Sequence, residues 1–207
     1  MRAAFVTLAL FAAAPLFAQS TPQLPGARDA SRITGGTYTV DPGHTLIEWE
    51  VNHFGFSPYF GLFGDASGTL ALDPKNPGAA KVDITIPVSK VITASAGLTD
   101  HLLRAGKDGG KPDFFGPAPA DAKFVSTSVT VDGDEADIAG NLTLNGVTKP
   151  VTLEAELFGV GSNPMSKKET VGFTAEATIK RSDFGITTAI PVVSDEVELK
   201  IAAAFEK

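Results

Sequence analysis

Residues 137–157 read DIAGNLTLNGVTKPVTLEAEL, and this stretch decides the fold. Ile138, Leu142 and Leu144 alternate against Asp137, Asn141 and Thr143. Beyond Asn145-Gly146, the residues Val147, Val151, Leu153, Ala155 and Leu157 alternate against Thr148, Thr152, Glu154 and Glu156. A period of two marks strands. Asn-Gly supplies the two positive-φ positions of a type I′ turn, so the two runs form a hairpin with one apolar face. Strands polar on one side argue for antiparallel pairing, because parallel sheets are buried on both faces.

The same alternation continues outward. Thr45–His53 sets Ile47, Trp49, Val51 and His53 against Glu48, Glu50 and Asn52. Gly64–Leu72 groups Ala66, Gly68, Leu70 and Leu72; Lys81–Val88 groups Val82, Ile84, Ile86 and Val88. In Lys123–Val131 the alternation is weakest, with Val125, Val129 and Val131 assigned to one face and Phe124 to the other. Thr170–Arg181 brings Val171, Phe173, Ala175, Ala177 and Ile179 together, and the last run brings Val197, Leu199, Ile201, Ala203 and Phe205 together. One helix interrupts the pattern at Gly97–Ala105, where Leu98 and Leu102 lie one turn apart. About eight strands with one apolar face pack as two sheets or close into a barrel. Runs of ten or more residues, over roughly 30 Å at about 3.3 Å per residue, favour a deep barrel able to hold one small ligand.

The 207 residues include no cysteine, which excludes a disulfide framework, thiolate zinc, a cysteine nucleophile and a lipidated N-terminal cysteine. A net charge of −7 without a basic run argues against binding nucleic acid or anionic membrane. Arg2 followed by the apolar run Ala3–Phe17 reads as a secretory signal peptide over residues 1–18, cleaved after Ala18 in preference to Ala14. A retained membrane anchor is the alternative. No later run approaches the ~20 apolar residues of a bilayer span, so the mature chain should lack one. Residues 19–36, rich in Ser, Pro, Gly and Ala, read as a flexible spacer, and 37–207 as the barrel domain.

Candidate chemistry is sparse. The three histidines do not suggest a metal site, since His44 and His53 have opposite parity. No Gly-x-Ser-x-Gly elbow occurs, and the paired glutamates alternate outward. No catalytic residue, metal or cofactor is expected. His53 reads either as a core histidine bonded to backbone or as a polar contact at one end of a cavity. Arg181 needs a partner when buried: Asp183, Asp195 or an anionic ligand. The aromatics of 54–63 and Phe114-Phe115 fall outside regular alternation, as a core lid or the mouth of a pocket.

Several ordered segments resemble the YceI-like family of bacterial lipocalin-like proteins. They are Tyr38-Thr-Val-Asp-Pro-Gly-His44-Thr, Trp49-x-Val-x-His53-Phe-Gly55, Gly61-x-Phe63-Gly, Thr99-Asp-His-Leu102 and Asp113-Phe-Phe115. Lys123-Phe124-x-Ser126, Gly140-Asn-Leu-Thr-Leu-Asn-Gly-Val-Thr-Lys149 and Arg181-Ser-Asp-Phe-Gly185 complete the set. The resemblance implies an all-β, extended eight-stranded antiparallel lipocalin-like barrel with one short helix between strands three and four. It further implies a periplasmic protein, without an established catalytic mechanism, whose elongated apolar cavity binds a polyisoprenoid or other long-chain amphiphilic lipid. On that basis Trp49, Val51, Phe173 and Ile179 should line a tunnel. Phe54, Phe56 and Phe63 with Leu98, Leu102, Phe114 and Phe115 should enclose it, and His53 and Arg181 should offer polar contacts. The ligand is expected to be a polyisoprenoid, quinone or fatty-acid derivative, held by a monomer or homodimer. Rival readings are an enzyme acting on the bound lipid with His53 or His101 as base, and a partner-binding module with a filled core. The segment Ala105–Lys111 looks like an insertion, and Ala120-Asp121-Ala122 replaces the family's usual Tyr-Pro.

Overall fold

The computed structural model describes residues 23–207; the predicted signal peptide over residues 1–18 lies outside the described residues. Strands are β1 (Gly36–Val40), β2 (Leu46–His53), β3 (Ser57–Phe63), β4 (Ser67–Leu72) and β5 (Lys81–Ile86). After α1 (Ala96–Leu103) come β6 (Ala122–Asp132), β7 (Glu135–Leu144), β8 (Val147–Ser162), β9 (Glu169–Lys180) and β10 (Glu196–Glu206). Every ladder is antiparallel. The edge of β10 carries β1 at Phe205 and Glu206 and then β2 from Ala202 to Glu198, so β1 and β2 are two parts of one interrupted strand. Their partners β4 and β3 form the second interrupted strand. The ten segments therefore act as eight strands, and the β1–β4 and β1–β10 pairings close the cylinder. The helix follows the third of these eight strands, as the pattern predicts.

The interruption between β1 and β2 is bridged by a side chain. Thr45 is 3% exposed; its hydroxyl donates to the Ala204 carbonyl (3.2 Å) and accepts from the Ala204 N–H (3.1 Å). A hydroxyl thus stands where a ladder peptide would be, meeting the rule that buried backbone groups find partners.

Two corrections concern parity. In β6, Phe124 faces inward at 5% exposure and Val125 outward at 37%, the reverse of the sequence assignment. A bulge between Ser126 and Ser128 shifts the register, and beyond it Val129 and Val131 face the lumen as expected. Gly140 makes room for the inward ring: a Cβ there would lie 2.4 Å from Phe124 Cζ. Residues 57–63, expected outside regular alternation, form β3, with Pro58 opposite Asn52 and Tyr59 opposite Val51. Pro58 is tolerated near the start of a strand that has no full ladder on its other side, and Gly61 interrupts the apolar alternation that would otherwise reveal the strand.

Of the segment 19–36 expected as a spacer, residues 19–22 lie outside the described residues, and residues 27–36 are strapped to the barrel. Ala27 exchanges both backbone hydrogen bonds with Val160 beyond the end of β7, and Arg28 pairs with Glu156. Composition hides this, since a strap held by backbone bonds needs no apolar periodicity.

Thr45→Val keeps the side-chain shape and leaves the Ala204 N–H unpaired, so it should cost about 1–3 kcal/mol in urea unfolding. Thr45→Ser should retain most of the stability.

Candidate functional site

The lumen holds two chambers stacked along the barrel axis. The upper has a volume of 380 Å³ and the lower 290 Å³. Ile47, Ile86, Leu142 and Leu199 touch both and form a waist.

The upper chamber collects most of the residues singled out in the sequence. Trp49, Val51 and Ile179 form its walls, and Phe63, Leu98, Leu102, Phe114 and Phe115 close over it. Phe115 is tied to α1 through its N–H to the Leu102 carbonyl (3.0 Å) and meets the Phe63 ring edge-on at 6.0 Å. His53 and Phe54 stand at the mouth, and Phe173 belongs to the lower chamber. Phe56 lines neither chamber and is 90% exposed, because the turn places it at the tip of the β2–β3 hairpin.

Trp49 fits because Gly61 lies opposite it: a Cβ on Gly61 would be 2.5 Å from Trp49 Cζ2. Gly61 therefore serves close ring approach. Asp65, between β3 and β4, has φ +55°. Trp49 Nε1–H is buried without an acceptor among the described residues, an uncommon state for a buried donor.

His53 is exposed at the rim, with its ring 4.5 Å from that of Phe54 and 6.3 Å from that of Tyr59. The core-histidine reading is overturned; its place is one end of the cavity. Arg181, 6% exposed, has its bonding filled by backbone rather than by a carboxylate. Nε donates to the Ser194 carbonyl (2.8 Å), Nη1 to Thr188 (2.8 Å) and Ile186 (3.3 Å), and Nη2 to Val193 (2.9 Å). Asp195 instead accepts from the Ser182 N–H and hydroxyl. Burial lowers the Arg181 pKa, with the Asp195 charge opposing that shift. The side chain still borders the upper chamber, but its hydrogen bonds organise the 186–194 loop.

Sequence reasoning left His101 out of the cavity lining. It borders the upper chamber, its Nε2 lies 2.8 Å from Asp113 Oδ2, and its ring meets Phe114 edge-on at 5.2 Å. Hydrogen bonds from His101 and then Arg104 hold the Asp113 carboxyl below its ordinary value. The missed signal was helical: His101 lies three residues after Leu98, on the same face of α1.

The lower chamber was legible only as an inward face. Val82, Ile84, Leu153 and Ile201 line it, while Ala30 and Ile33 of the strap and Pro74 sit at its mouth. Behind the strap, Glu169 accepts from the Thr34 N–H (3.0 Å) and hydroxyl (2.5 Å) and from Tyr38 Oη (2.7 Å). Burial and then the Glu169 hydrogen bond push the Tyr38 phenol up to about 12. Burial acts to raise the Glu169 pKa, but the Thr34 and Tyr38 hydrogen bonds outweigh it, and the net shift is downward from 4.5. A depressed carboxylate contributes stability that is present above its unfolded value and lost as pH falls through the folded one. The unfolding free energy from urea titration should therefore fall on acidification below 4.5, and Glu169→Gln should lack that part of the loss.

Comparison with known proteins gives a consistent assignment. The family model described as a YceI-like domain matches residues 38–205. Protein YceI of Salmonella arizonae is 47% identical over 160 residues, which is 77% of this chain and 80% of that protein. A Campylobacter jejuni YceI crystal structure aligns with TM-score 0.62 and 31% identity over 75% of this chain and 88% of that one. A Saccharophagus degradans structure described as a polyisoprenoid-binding domain aligns with TM-score 0.54 and 15% identity over 82% of this chain and 97% of that one, a likeness of fold.

Proposed function

Because the chain belongs to the YceI-like family, we propose that its barrel is a non-catalytic holder of one long apolar or amphiphilic chain, such as a polyisoprenoid, quinone or fatty-acid derivative. The observation that carries the reading is the pair of apolar chambers joined at an aliphatic waist. Their volumes fall near the lower part of the range for ligand pockets, about 300–1,000 Å³. A slim chain passing Ile47, Ile86, Leu142 and Leu199 would occupy both chambers, whereas a compact ligand would fill only one.

The polar end of such a ligand belongs in the upper mouth. His53, His101 and Thr188 lie there, while the lower chamber is mostly aliphatic and aromatic and its polar lining, Thr45, Asp134 and Glu135, offers no cation or imidazole. The unpaired Trp49 N–H favours a ligand carrying an oxygen acceptor near the head. The polyisoprenoid-binding description of the Saccharophagus structure supports an isoprenoid tail. With the apolar N-terminal run read as an export signal, the site of action is the periplasm.

Native mass spectrometry after gentle purification should find one ligand per barrel. Trp49, the only tryptophan in the chain, should report exchange by a change in its fluorescence. Leu199→Trp, which blocks the waist, should shift selection toward shorter chains and remove about 0.8 kcal/mol of binding for each methylene excluded. A barrel that repeatedly purifies without ligand and takes up none from prenol or fatty-acid solutions would overturn the proposal.

A further inference from the structure

Two hairpin connections, Asn145–Gly146 of two residues and Phe54–Phe56 of three, begin with two successive residues at positive φ. At the β7–β8 connection, Asn145 and Gly146 have φ +51° and +76°. At the β2–β3 connection, Phe54 and Gly55 have φ +58° and +70°. Asparagine and glycine accept the left-handed region readily; a phenylalanine does so only under strain. The second turn therefore keeps a residue unsuited to its backbone, with the ring 49% exposed, when the first shows the unstrained solution. Strain held at such a position points to a use for the ring.

The surroundings of that ring are also apolar. Phe56 at the same tip is 90% exposed and Val192, whose carbonyl accepts from the Phe54 N–H (2.7 Å), is 49% exposed. On the outer side of the hairpin, Phe60 and Ile92 are 56% and 57% exposed. The rim is continuous with the upper chamber, because Phe54 both borders the chamber and faces outward.

We propose that the Phe54–Phe56 tip and its apolar neighbours are a docking surface for a lipid bilayer, through which the barrel exchanges its ligand. The inference rests on the reading that the chambers hold an apolar chain. Such a chain crosses water at high cost, so a rim joining the chamber to its source shortens the wet path. A convex three-residue tip bearing two rings suits insertion into a soft lipid interface, where aromatic side chains settle. Charge sets the orientation. On the outer face of the lower half, Glu135 lies opposite Glu156, Asp137 opposite Glu154, and Glu154 opposite Glu176. An anionic surface repels that pole and leaves the aromatic rim facing the lipid.

The test is flotation with phosphatidylcholine vesicles, with and without phosphatidylglycerol, using both delipidated and ligand-loaded mature protein. Wild type should float. Phe56→Ser should lose roughly tenfold in vesicle affinity, the change expected for one ring withdrawn from lipid, without altering the ligand mass seen by native mass spectrometry. Phe54→Asn should also weaken flotation while raising the urea midpoint, because the turn relaxes. Phe158→Ser removes a ring that is 69% exposed on β8, away from the mouth, and should float as wild type does. Ligand retention without flotation overturns the docking surface and leaves the binding reading intact. Flotation of a barrel that never takes ligand overturns the binding reading instead. A wild-type dimer that Phe56→Ser converts to monomer, without vesicle binding, would assign the rim to a second copy and overturn the bilayer.

Discussion

One edge of β10 carries two strands in succession, and the shape of the lumen follows from that shared ladder. In the lower half, β1 pairs with both β10 and β4, so the cylinder is closed there by backbone. In the upper half, β2 and β3 continue the sheet, but the outer edge of β3 meets only the isolated bridge from Leu62 to Ile92. Strand closure is thus replaced by side chains and loops: the residues between β5 and β6, including α1 and Phe114-Phe115, cover the opening. A wall built this way can spread further than a hydrogen-bonded one. The upper chamber has the greater cavity volume, 380 against 290 Å³, and His53, His101 and Thr188 lie at its mouth.

An apolar cavity of this size works against stability. Protein interiors pack at crystal-like density, and a cavity forfeits the contacts its lining would otherwise make. The lower chamber keeps its space with small residues such as Ala155, Ala175 and Ala203 at inward positions where larger side chains would fill it. A ligand that binds only the folded barrel recovers those contacts and stabilises the fold by mass action. Retained space within an otherwise well-formed lumen therefore argues for an occupant on physical grounds, independently of any relative.

Most of the barrel was legible because period two is a direct record of which face meets water. It failed where the backbone departs from the regular pleat. The β6 bulge reverses parity at Ser126–Ser128, and no residue type there announces it. In β3, Gly61 gives up an apolar side chain so that Trp49 can lie across the strand, which removes the alternation a reader would count. The strap at 27–36 is held by backbone bonds and by Glu169, and neither leaves a periodic trace. Site residues divided in the same way. Parity puts Trp49, Val51 and Ile179 on the inward face, where they border the upper chamber, whereas no alternation places Phe56, which lies outside the chambers.

Arg181 shows why burial and charge in a sequence do not specify a role. The pattern demanded a compensating group, and a carboxylate or an anionic ligand was the natural expectation. Carbonyl dipoles provide another solution: several oxygens around one planar fork satisfy its donors without introducing a second ion whose desolvation would also oppose folding. The carbonyls come from Ile186, Thr188, Val193 and Ser194, so satisfying the charge folds the loop. That loop then meets the end of β2, where the Ser194 N–H reaches the Asn52 carbonyl (2.9 Å) and Phe54 donates to Val192. A buried guanidinium at the top of β9 thereby fixes the position of the hairpin tip at the cavity mouth. The side chain borders the upper chamber, but its hydrogen bonds are committed to backbone.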